Sequence, residues 1–333
     1  MRRILTTALL LLAAQALVAQ SSSDDALHVS SRLVLVPTLV QNPAKDLVYS
    51  LRPEDFLLTD KGIPQKVSLD DARKQALSLV VLMQTGGAAV REFDKYRGLE
   101  AMLAEMLGGA PNQVAVVNFD SRPEAASEFT SDIAQWKDAI DTPEPGDSGA
   151  AIRDAIKFAL GMLAKRPPEH RKVILLISQP QDSGSTTTAK EIARMMTETD
   201  TSIYSLTFTP QLTRLKGSLK EPGKPATPTP IGDGHYVVSF NLTEPLNMML
   251  DAMKKDIAAE IATVSGGEAR RFDNRNELDQ TLAEMGRDMR NQYLLSFTPA
   301  AKDPGFHPLR VSLIGHPEFS VSARTGYWLT EVK

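Results

Sequence analysis

Residues 77–84 read Leu-Ser-Leu-Val-Val-Leu-Met-Gln, and residues 171–179 read Arg-Lys-Val-Ile-Leu-Leu-Ile-Ser-Gln. Each is a nearly continuous apolar run, which is typical of a strand buried on both faces of a parallel sheet. Each run ends in polar or small residues, at the place where α/β folds carry their ligand sites. The two residues that close the runs are Gln84 and Gln179. The two stretches therefore predict an α/β fold and point to the sheet edge where both strands end.

The segments around these strands alternate between helix and strand patterns. Apolar residues recur at helical spacing in residues 99–107 and 152–163, and apolar β-type runs occupy residues 113–119 and 202–208. This alternation predicts a doubly wound, mostly parallel sheet with helices on both faces. Further helices are predicted at residues 186–197, 246–264 and 278–289.

Both ends of the chain carry β patterns instead. The N-terminal strands are predicted at residues 33–40, broken by Pro37, and at 55–59 and 65–69; the C-terminal strands are predicted at 293–297, 309–313 and 319–323. The N-terminal set is too short to make a stable sandwich alone. We therefore predict an N-terminal β segment (27–74) and a C-terminal β segment (291–333) that pack together as a small β-sandwich-like domain. The α/β domain (75–290) lies between them and contains a long Pro- and Lys-rich loop (209–235).

The first twenty residues have the composition of a targeting segment. Arg2 and Arg3 precede an apolar stretch, and Ala14-Gln15-Ala16 has the pattern of a cleavage site. Because the apolar stretch is too short for a stable membrane span, residues 1–20 predict a signal peptide, with an N-terminal anchor helix as the alternative. The mature chain is then expected to be exported, to the periplasm, the cell surface or the extracellular space, without a membrane span.

Composition narrows the classes of function. The net charge of −4 gives no sign of a nucleic-acid-binding surface. The chain has no cysteine, which excludes disulfides, thiolate metal sites and a cysteine nucleophile. An apolar fraction of 42% is ordinary for a globular protein and is sufficient for a sizeable core.

Four stretches, taken in order, resemble the motifs of one family. Residues 52–66 resemble an "eDF…DGkpQ" motif, and Asp154-Ala155-Ile156 resembles a "DAi" helix opening; residues 290–299 resemble "rnqY…ytP", and residues 323–328 resemble "aRpGYy". Over residues 29–328 the chain is similar to exported bacterial proteins, of the acidobacterial type, that carry a von Willebrand factor A domain between short β segments. The resemblance implies the fold of that domain and a protein-binding or adhesion function.

The same resemblance implies a metal-ion-dependent adhesion site, but the ligand positions differ. The family's D-x-S-x-S ligands fall on Gln84, Gly86 and Ala88, its threonine falls on Ala150, and the aspartate of its "SDG" falls on Gln179. Magnesium binds oxygen ligands, with carboxylates that compensate for lost hydration. Because the five positions carry no carboxylate and no hydroxyl, we expect a degenerate site, no bound metal and no cofactor.

Three interpretations of this edge stay open. The amides of Gln84 and Gln179 hydrogen-bond each other where the metal would bridge the loops, which leaves a purely structural role. Alternatively, the edge is a metal-free surface for an unidentified protein partner, with Gln84, Thr85, Gln179 and Asp182 as the candidate contacts. In the third interpretation, Asp120, Asp147 or Asp182 rebuilds a metal site.

Other motifs are weaker. Gly146-Asp147-Ser148-Gly149 resembles a serine-protease string, but a turn and helix cap is expected there. His307 and His316 are expected in turns, and Tyr293, Tyr327 and Trp328 in the core or in domain contacts. The sequence contains no recognisable nucleophile–base pair, so no catalytic residue is assigned. We expect a non-enzymatic interaction protein, with a structural or scaffold protein as the alternative and a hydrolase as a third.

Overall fold

The computed structural model describes residues 33–70, 75–107, 112–208, 256–301 and 303–329. The strands in these ranges are β1 (Val34–Gln41), β2 (Phe56–Asp60), β3 (Ile63–Gln65), β4 (Ser68–Asp70), β5 (Leu77–Gln84), β6 (Gln113–Phe119), β7 (Pro123–Thr130), β8 (Arg171–Ser178), β9 (Thr201–Phe208), β10 (Ala269–Phe272), β11 (Tyr293–Phe297), β12 (Gly305–Leu313), β13 (Ser320–Ala323) and β14 (Gly326–Leu329). The α-helices are α1 (Leu99–Leu107), α2 (Ile133–Asp141), α3 (Ile152–Leu163), α4 (Ala189–Glu198), α5 (Ile257–Ser265) and α6 (Arg275–Asn291).

The largest sheet has six strands in the order β10-β9-β8-β5-β6-β7. All neighbouring pairs are parallel except β6–β7, which is antiparallel. All eight residues of β5 are buried, because strands pair with it on both sides and helices cover both of its faces. The doubly wound, mostly parallel α/β fold that the sequence predicts is confirmed.

Alternate residues of the sheet face two separate cores. Leu79, Val81 and Met83 of β5 belong to one core with apolar residues of α1, α2 and α6. Val80 and Leu82 belong to the other core, with apolar residues of α3, α4 and α5. This division follows from the two-residue period of a strand, which directs successive side chains to opposite faces.

Residues from both ends of the chain form two further four-stranded sheets, β13-β1-β11-β4 and β14-β12-β2-β3. In the first, β1 pairs with β11 and β13; in the second, β2 pairs with β12. Their inner faces share one apolar core, which includes Val36, Leu58, Leu295 and Tyr327. The small β-sandwich-like part of the predicted fold is thus present, while the domain limits at residues 74 and 290 stay a prediction.

Arg324 joins this β region to α4. Its guanidinium Nη1 donates to the Leu35 carbonyl (3.1 Å) and to Asp200 Oδ1 (3.0 Å), and Nη2 donates to the Met196 carbonyl (3.4 Å). The arginine is 2% exposed, although its partner Asp200 is 25% exposed at the side chain. The "aRpGYy"-like segment therefore fixes the β region on the last turn of a helix of the α/β sheet.

Some local predictions differ from the structure. β1 continues through Pro37, where the sequence predicted a break. Because β13 pairs with β1 only from Thr38 onward, one side of the strand is unpaired at Pro37, and a proline is tolerated there. Neither β7 nor α2 was predicted. β7 reads Pro-Glu-Ala-Ala-Ser-Glu-Phe-Thr and is largely exposed, so it lacks an apolar alternation. In α2, by contrast, the buried Trp136 and Ile140 and the Asp132 cap were usable signals.

The predicted signal peptide (1–20), the loop 209–235 and most of the helix predicted at 246–264 lie outside the described residues. Among the helices that the structure describes, none has the length and apolar character needed to cross a membrane.

Candidate functional site

The strand that ends at Gln84 and the strand that ends at Ser178 are neighbours in the sheet. β5 and β8 run parallel, with Leu77 opposite Arg171 and Met83 opposite Ile177. Their carboxyl ends therefore lie at the same edge, with the loops that follow β5, β6 and β8 and the loop that leads into α3. We call this set of loops the carboxyl edge.

Gln84 and Gln179 form a direct hydrogen-bonded bridge at the carboxyl edge. The Gln84 Oε1 atom accepts the Gln179 backbone N–H at 2.8 Å, and Gln84 Nε2 lies 3.3 Å from Gln179 Oε1, to which it donates. Gln84 Nε2 also donates to the Gly86 carbonyl at 3.0 Å. The amide–amide hydrogen bond that the sequence suggested is present, and the polar atoms of the Gln84 side chain are all used inside the protein. We call these contacts the glutamine clasp.

The four candidate contact residues differ in exposure. Gln84 is 0% and Thr85 4% exposed, and the Thr85 hydroxyl and N–H both donate to the Phe119 carbonyl (3.3 and 2.8 Å). Gln179 and Asp182 are half-buried. Only the latter two can therefore contact a partner directly in this conformation.

Asp182 acts mainly on α3. Its Oδ1 atom accepts the Arg153 N–H at the start of the helix (3.0 Å), and Oδ2 pairs with the Arg153 guanidinium (3.1 Å). The Ser185 hydroxyl donates to Asp182 (2.6 Å) and accepts the backbone N–H groups of Arg153 and Asp154 (3.1 and 3.2 Å). The loop after β8 thus caps α3, a role that side-chain oxygens from the residues just before a helix usually fill.

Asp154 holds the same loop from the opposite direction. Its carboxylate accepts the N–H groups of Thr186 (3.0 Å) and Thr187 (2.8 Å). Burial alone would raise the pKa of Asp154, but the hydrogen bonds from the two threonines outweigh burial and lower it. The sequence motif identified Asp154 only as a helix opening; its contact with residues about thirty positions later required the fold.

The Gly146–Gly149 string forms a turn and does not cap α3. Asp147 accepts the N–H groups of Ser121 (3.1 Å) and Gly149 (2.7 Å), and its own N–H donates to Asp120 Oδ2 (3.0 Å). Hydrogen bonding to Ser121 and Gly149 lowers the pKa of Asp147. The turn half of the expectation is therefore correct, whereas the cap is supplied by Asp182 and Ser185.

The residues at the five adhesion-site positions do not fit a divalent cation. Gln84 and Gln179 supply neutral amides, and the Gln84 oxygen already accepts a backbone N–H. A Cβ atom at Gly86 would lie 2.4 Å from the Gly149 carbonyl oxygen, so the position of the second ligand has no room for a side chain. Over the described ranges, no three His, Cys, Asp or Glu side chains are grouped as a metal ion would require.

One serine–histidine pair exists elsewhere. Ser78 Oγ lies 3.0 Å from His170 Nδ1 at the beginning of β5. Ser78 is 0% exposed, and its oxygen accepts a hydrogen bond from Arg166 Nε (3.1 Å). A nucleophile needs access to its substrate, and this hydroxyl has none in the observed conformation.

His307 is not a turn residue, as the sequence suggested, but a buried residue of β12. Its Nδ1 atom lies 2.9 Å from Asp60 Oδ1, and its Nε2 atom lies 2.8 Å from the Asp303 carbonyl oxygen. The Tyr327 hydroxyl donates to Asp60 Oδ2 (2.7 Å). The error has a physical cause: Asp60 lies about 250 residues away in sequence, and this partner makes the burial of a histidine tolerable.

The aromatic residues lie in the core and in contacts between elements, as expected. Tyr293 packs against Phe56 with ring centroids 5.2 Å apart, and Tyr327 packs against Phe297 at 5.8 Å. The Lys190 ammonium of α4 lies 5.8 Å from the centre of the Trp328 ring. The His316 side chain is 41% exposed and stacks on Phe319, whose N–H donates to the His316 carbonyl (3.3 Å), in agreement with its predicted place in a turn.

Comparison with known proteins agrees with this architecture. Residues 81–183, which include Gln84 and Gln179 of the glutamine clasp, match the family model described as von Willebrand factor type A domain. A search of curated protein sequences found no match.

Several solved structures are similar at low identity. The conserved hypothetical protein BatB from Bacteroides thetaiotaomicron shares 15% identity over 64% of this chain and 98% of its own, with a TM-score of 0.40. An aerotolerance-related membrane protein from Bacteroides fragilis shares 16% over 63% and 98%, with a TM-score of 0.43. Proximal thread matrix protein 1 from the mussel byssus shares 13% over 68% and 49%, with a TM-score of 0.44. The match to the family model of the von Willebrand factor type A domain covers residues 81–183, within the α/β sheet whose carboxyl edge carries the glutamine clasp.

Proposed function

We propose that this chain is an exported, non-enzymatic protein–protein interaction protein of adhesion type, and that its von Willebrand factor A-type domain binds its partner without a metal ion. The single observation that carries the proposal is the composition of the carboxyl edge. It lies within the matched domain, yet a glutamine clasp occupies the place where a metal would join the loops.

The surface available to a partner is the loop after β8. Gln181, Ser183 and Thr186 are exposed, whereas the residues that fix this loop are turned inward. Asp154 and Asp182 bind it to α3 through backbone N–H groups on both sides. A surface whose backbone is fixed before binding loses little conformational entropy when a partner docks, which favours binding at this loop.

Export is proposed from the first twenty residues, which have the pattern of a cleavable signal peptide. The acidobacterial-type grouping rests on the four motifs quoted above and is likewise a proposal. Cell fractionation followed by N-terminal sequencing tests this proposal. Recovery of the chain only from the cytoplasm would contradict export, and an exported chain that still begins at Met1 would contradict cleavage of the signal peptide.

One observation favours the alternative role as a scaffold. Gln84 and Thr85 are buried and use their polar atoms in hydrogen bonds within the protein, so this part of the carboxyl edge offers no contact to a partner. In that case the β region or the 209–235 segment would carry the contacts. Among the described residues, only the buried Ser78–His170 pair supports the hydrolase alternative. Turnover of generic ester or peptide substrates would be evidence for that alternative.

A crosslinking pull-down with the full mature chain separates these roles. The test variant is Gln181→Lys with Ser183→Lys, which places two charges on exposed positions of the edge loop; the control is Gln280→Lys, an exposed glutamine on α6. We expect the double variant to lose its crosslinked partner, and the control and a chelator to have no effect. Unchanged capture by the double variant, with loss on deletion of residues 209–235, would support the scaffold role. Loss of capture on chelation would refute the metal-free proposal.

A further inference from the structure

We infer that the metal position of this domain is closed by packing as well as by the loss of its ligands, so that restoring the ligands does not restore metal binding. The inference rests on the proposed metal-free function and deepens it, since it states why the carboxyl edge keeps one conformation. It concerns three loops, which follow β5 (residues 85–91), precede α3 (142–151) and follow β8 (179–188).

The first element of the closure is the glutamine clasp. Gln84 needs both an acceptor and a donor atom to bind the Gln179 N–H, the Gln179 side chain and the Gly86 carbonyl. An aspartate at this position is one methylene shorter and, when ionised, only accepts hydrogen bonds. Return of the family's aspartate therefore removes the contact with Gly86 and the side-chain contact with Gln179, before any metal binds.

The second element is the loop before α3, which occupies the space beside Gly86. A Cβ atom on Gly86 would lie 2.4 Å from the Gly149 carbonyl oxygen and 2.7 Å from the Asp147 carbonyl oxygen. Both neighbours are backbone atoms, so a rotamer change cannot relieve the contact. The φ of Gly86 is −89°, an ordinary value for any residue, so the restriction is steric and not conformational.

The third element prevents this loop from moving away. On one side, the Gly87 N–H donates to the Asp147 carbonyl (2.7 Å) and the Gly146 N–H donates to the Thr85 carbonyl (3.0 Å). On the other side, the Asp147 carboxylate accepts the Ser121 N–H (3.1 Å) and the Ala151 N–H donates to the Asp120 carbonyl (2.7 Å). Displacement of the loop by about 1 Å would break several of these bonds together.

The loop after β8 is joined to the same structure. Ala150, at the position of the family's threonine, forms an antiparallel bridge with Ser183, with N–H to O distances of 3.3 and 2.8 Å. Hydrogen bonds within the chain thus connect all three loops directly. A cation is not required to hold them, and there is no gap at Gly86 that a serine ligand could fill.

The first experiment restores all five ligands with Gln84→Asp, Gly86→Ser, Ala88→Ser, Ala150→Thr and Gln179→Asp in the full mature chain. The measurements are calorimetric titration with MnCl2 and thermal unfolding with and without MnCl2. We expect no binding below millimolar concentration and no rise of Tm on addition of the metal. Micromolar binding of Mn2+ together with a raised Tm would overturn the inference.

A pair of glycine variants tests whether the position of Gly86 is closed, even when the variant with the restored ligands fails to fold. Gly86→Ala adds one methyl group at the closed position; Gly161→Ala adds one on α3, where nothing lies within 4 Å of the new atom. We expect Gly86→Ala to lower Tm by about 5 °C or more through overpacking. Gly161→Ala should keep or raise Tm, because alanine is the better helix former. Equal stability of the two variants would show that the position is open. Neither measurement involves a partner, so its outcome is independent of the pull-down.

Discussion

Replacement of Arg324 by methionine should weaken the attachment of the β region to α4. The substitution keeps much of the apolar stem and removes the guanidinium that donates to Asp200 and to the carbonyls of Leu35 and Met196 at 3.0, 3.1 and 3.4 Å. Removing one partner of a buried ion pair typically costs about 3–5 kcal/mol. Two features place the expected cost for Arg324 at or below the lower end of this range. The Asp200 side chain is 25% exposed, and Arg324 Nε has no hydrogen-bond partner among the described residues.

We therefore expect a loss of about 3 kcal/mol, which is about a hundredfold change in the folding equilibrium constant. With a urea m value of about 3 kcal/mol/M, the midpoint of unfolding should fall by about 1 M. Arg194→Met is the matched control on α4, the helix that Arg324 contacts, because Arg194 is 52% exposed and lies 3.8 Å from Glu198. Its effect should stay below about 0.5 kcal/mol. Equal midpoints for the two variants would refute the reasoning, as would unchanged hydrogen exchange in β1 of Arg324→Met.

Two further predictions concern the carboxyl edge and the alkaline limit of stability. Asp154→Ala removes the acceptor of the Thr186 and Thr187 N–H groups and should cost about 2 kcal/mol by thermal unfolding, with Asp154→Asn intermediate. The control is Asp279→Ala, whose side chain is 38% exposed; an equally small loss for both alanine variants would contradict the assigned role. Burial raises the pKa of Tyr204 and of Tyr327, the latter also through its hydrogen bond to Asp60. Because the folded pKa exceeds the unfolded value of about 10, the stability that these groups contribute is complete below that pH and is lost as pH rises further. Tyrosinate absorbance of the buried residues should therefore appear only together with the loss of circular dichroism; ionisation near pH 10 with an intact fold would refute this expectation.

The fold was predictable because its strands carry unambiguous local patterns. β6 and β11 begin and end where the sequence predicts, at Gln113–Phe119 and Tyr293–Phe297. Both are apolar runs that sheet neighbours and packed layers bury, so sequence and burial agree. β7 was not predicted because it carries no apolar pattern. It lies at the edge of its sheet, half of its residues are exposed and none is buried, so the fold does not require apolar side chains there.

The candidate site was only partly predictable. The bridge between Gln84 and Gln179 followed from the fold, because parallel neighbours end at the same edge. The closed space at Gly86 did not, since it depends on the path of a loop about sixty residues later in the chain. The helix cap from Asp182 and Ser185 was missed for the same reason: sequence rules place caps next to the start of a helix, and these two residues come about thirty positions after the start of α3.

Under the proposed metal-free function, the lack of carboxylates at Gln84 and Gln179 and the direct hydrogen bonds between these residues belong to one arrangement. In a metal-bridged edge, the oxygens that face the cation must stay free of protein donors, and the loops are held together through the ion. Here the corresponding oxygen of Gln84 accepts a backbone N–H from Gln179, so the atom that would bind the metal joins the loops itself. Under the proposed metal-free function, recognition at this edge does not use a cation that completes its coordination with a partner's side chain. The proposal assigns recognition to exposed groups such as Gln181 and Thr186, whose positions Asp154 and Asp182 fix through α3. Substitutions at Asp154 should therefore change partner binding through the shape of the loop, even though its carboxylate is committed to backbone N–H groups.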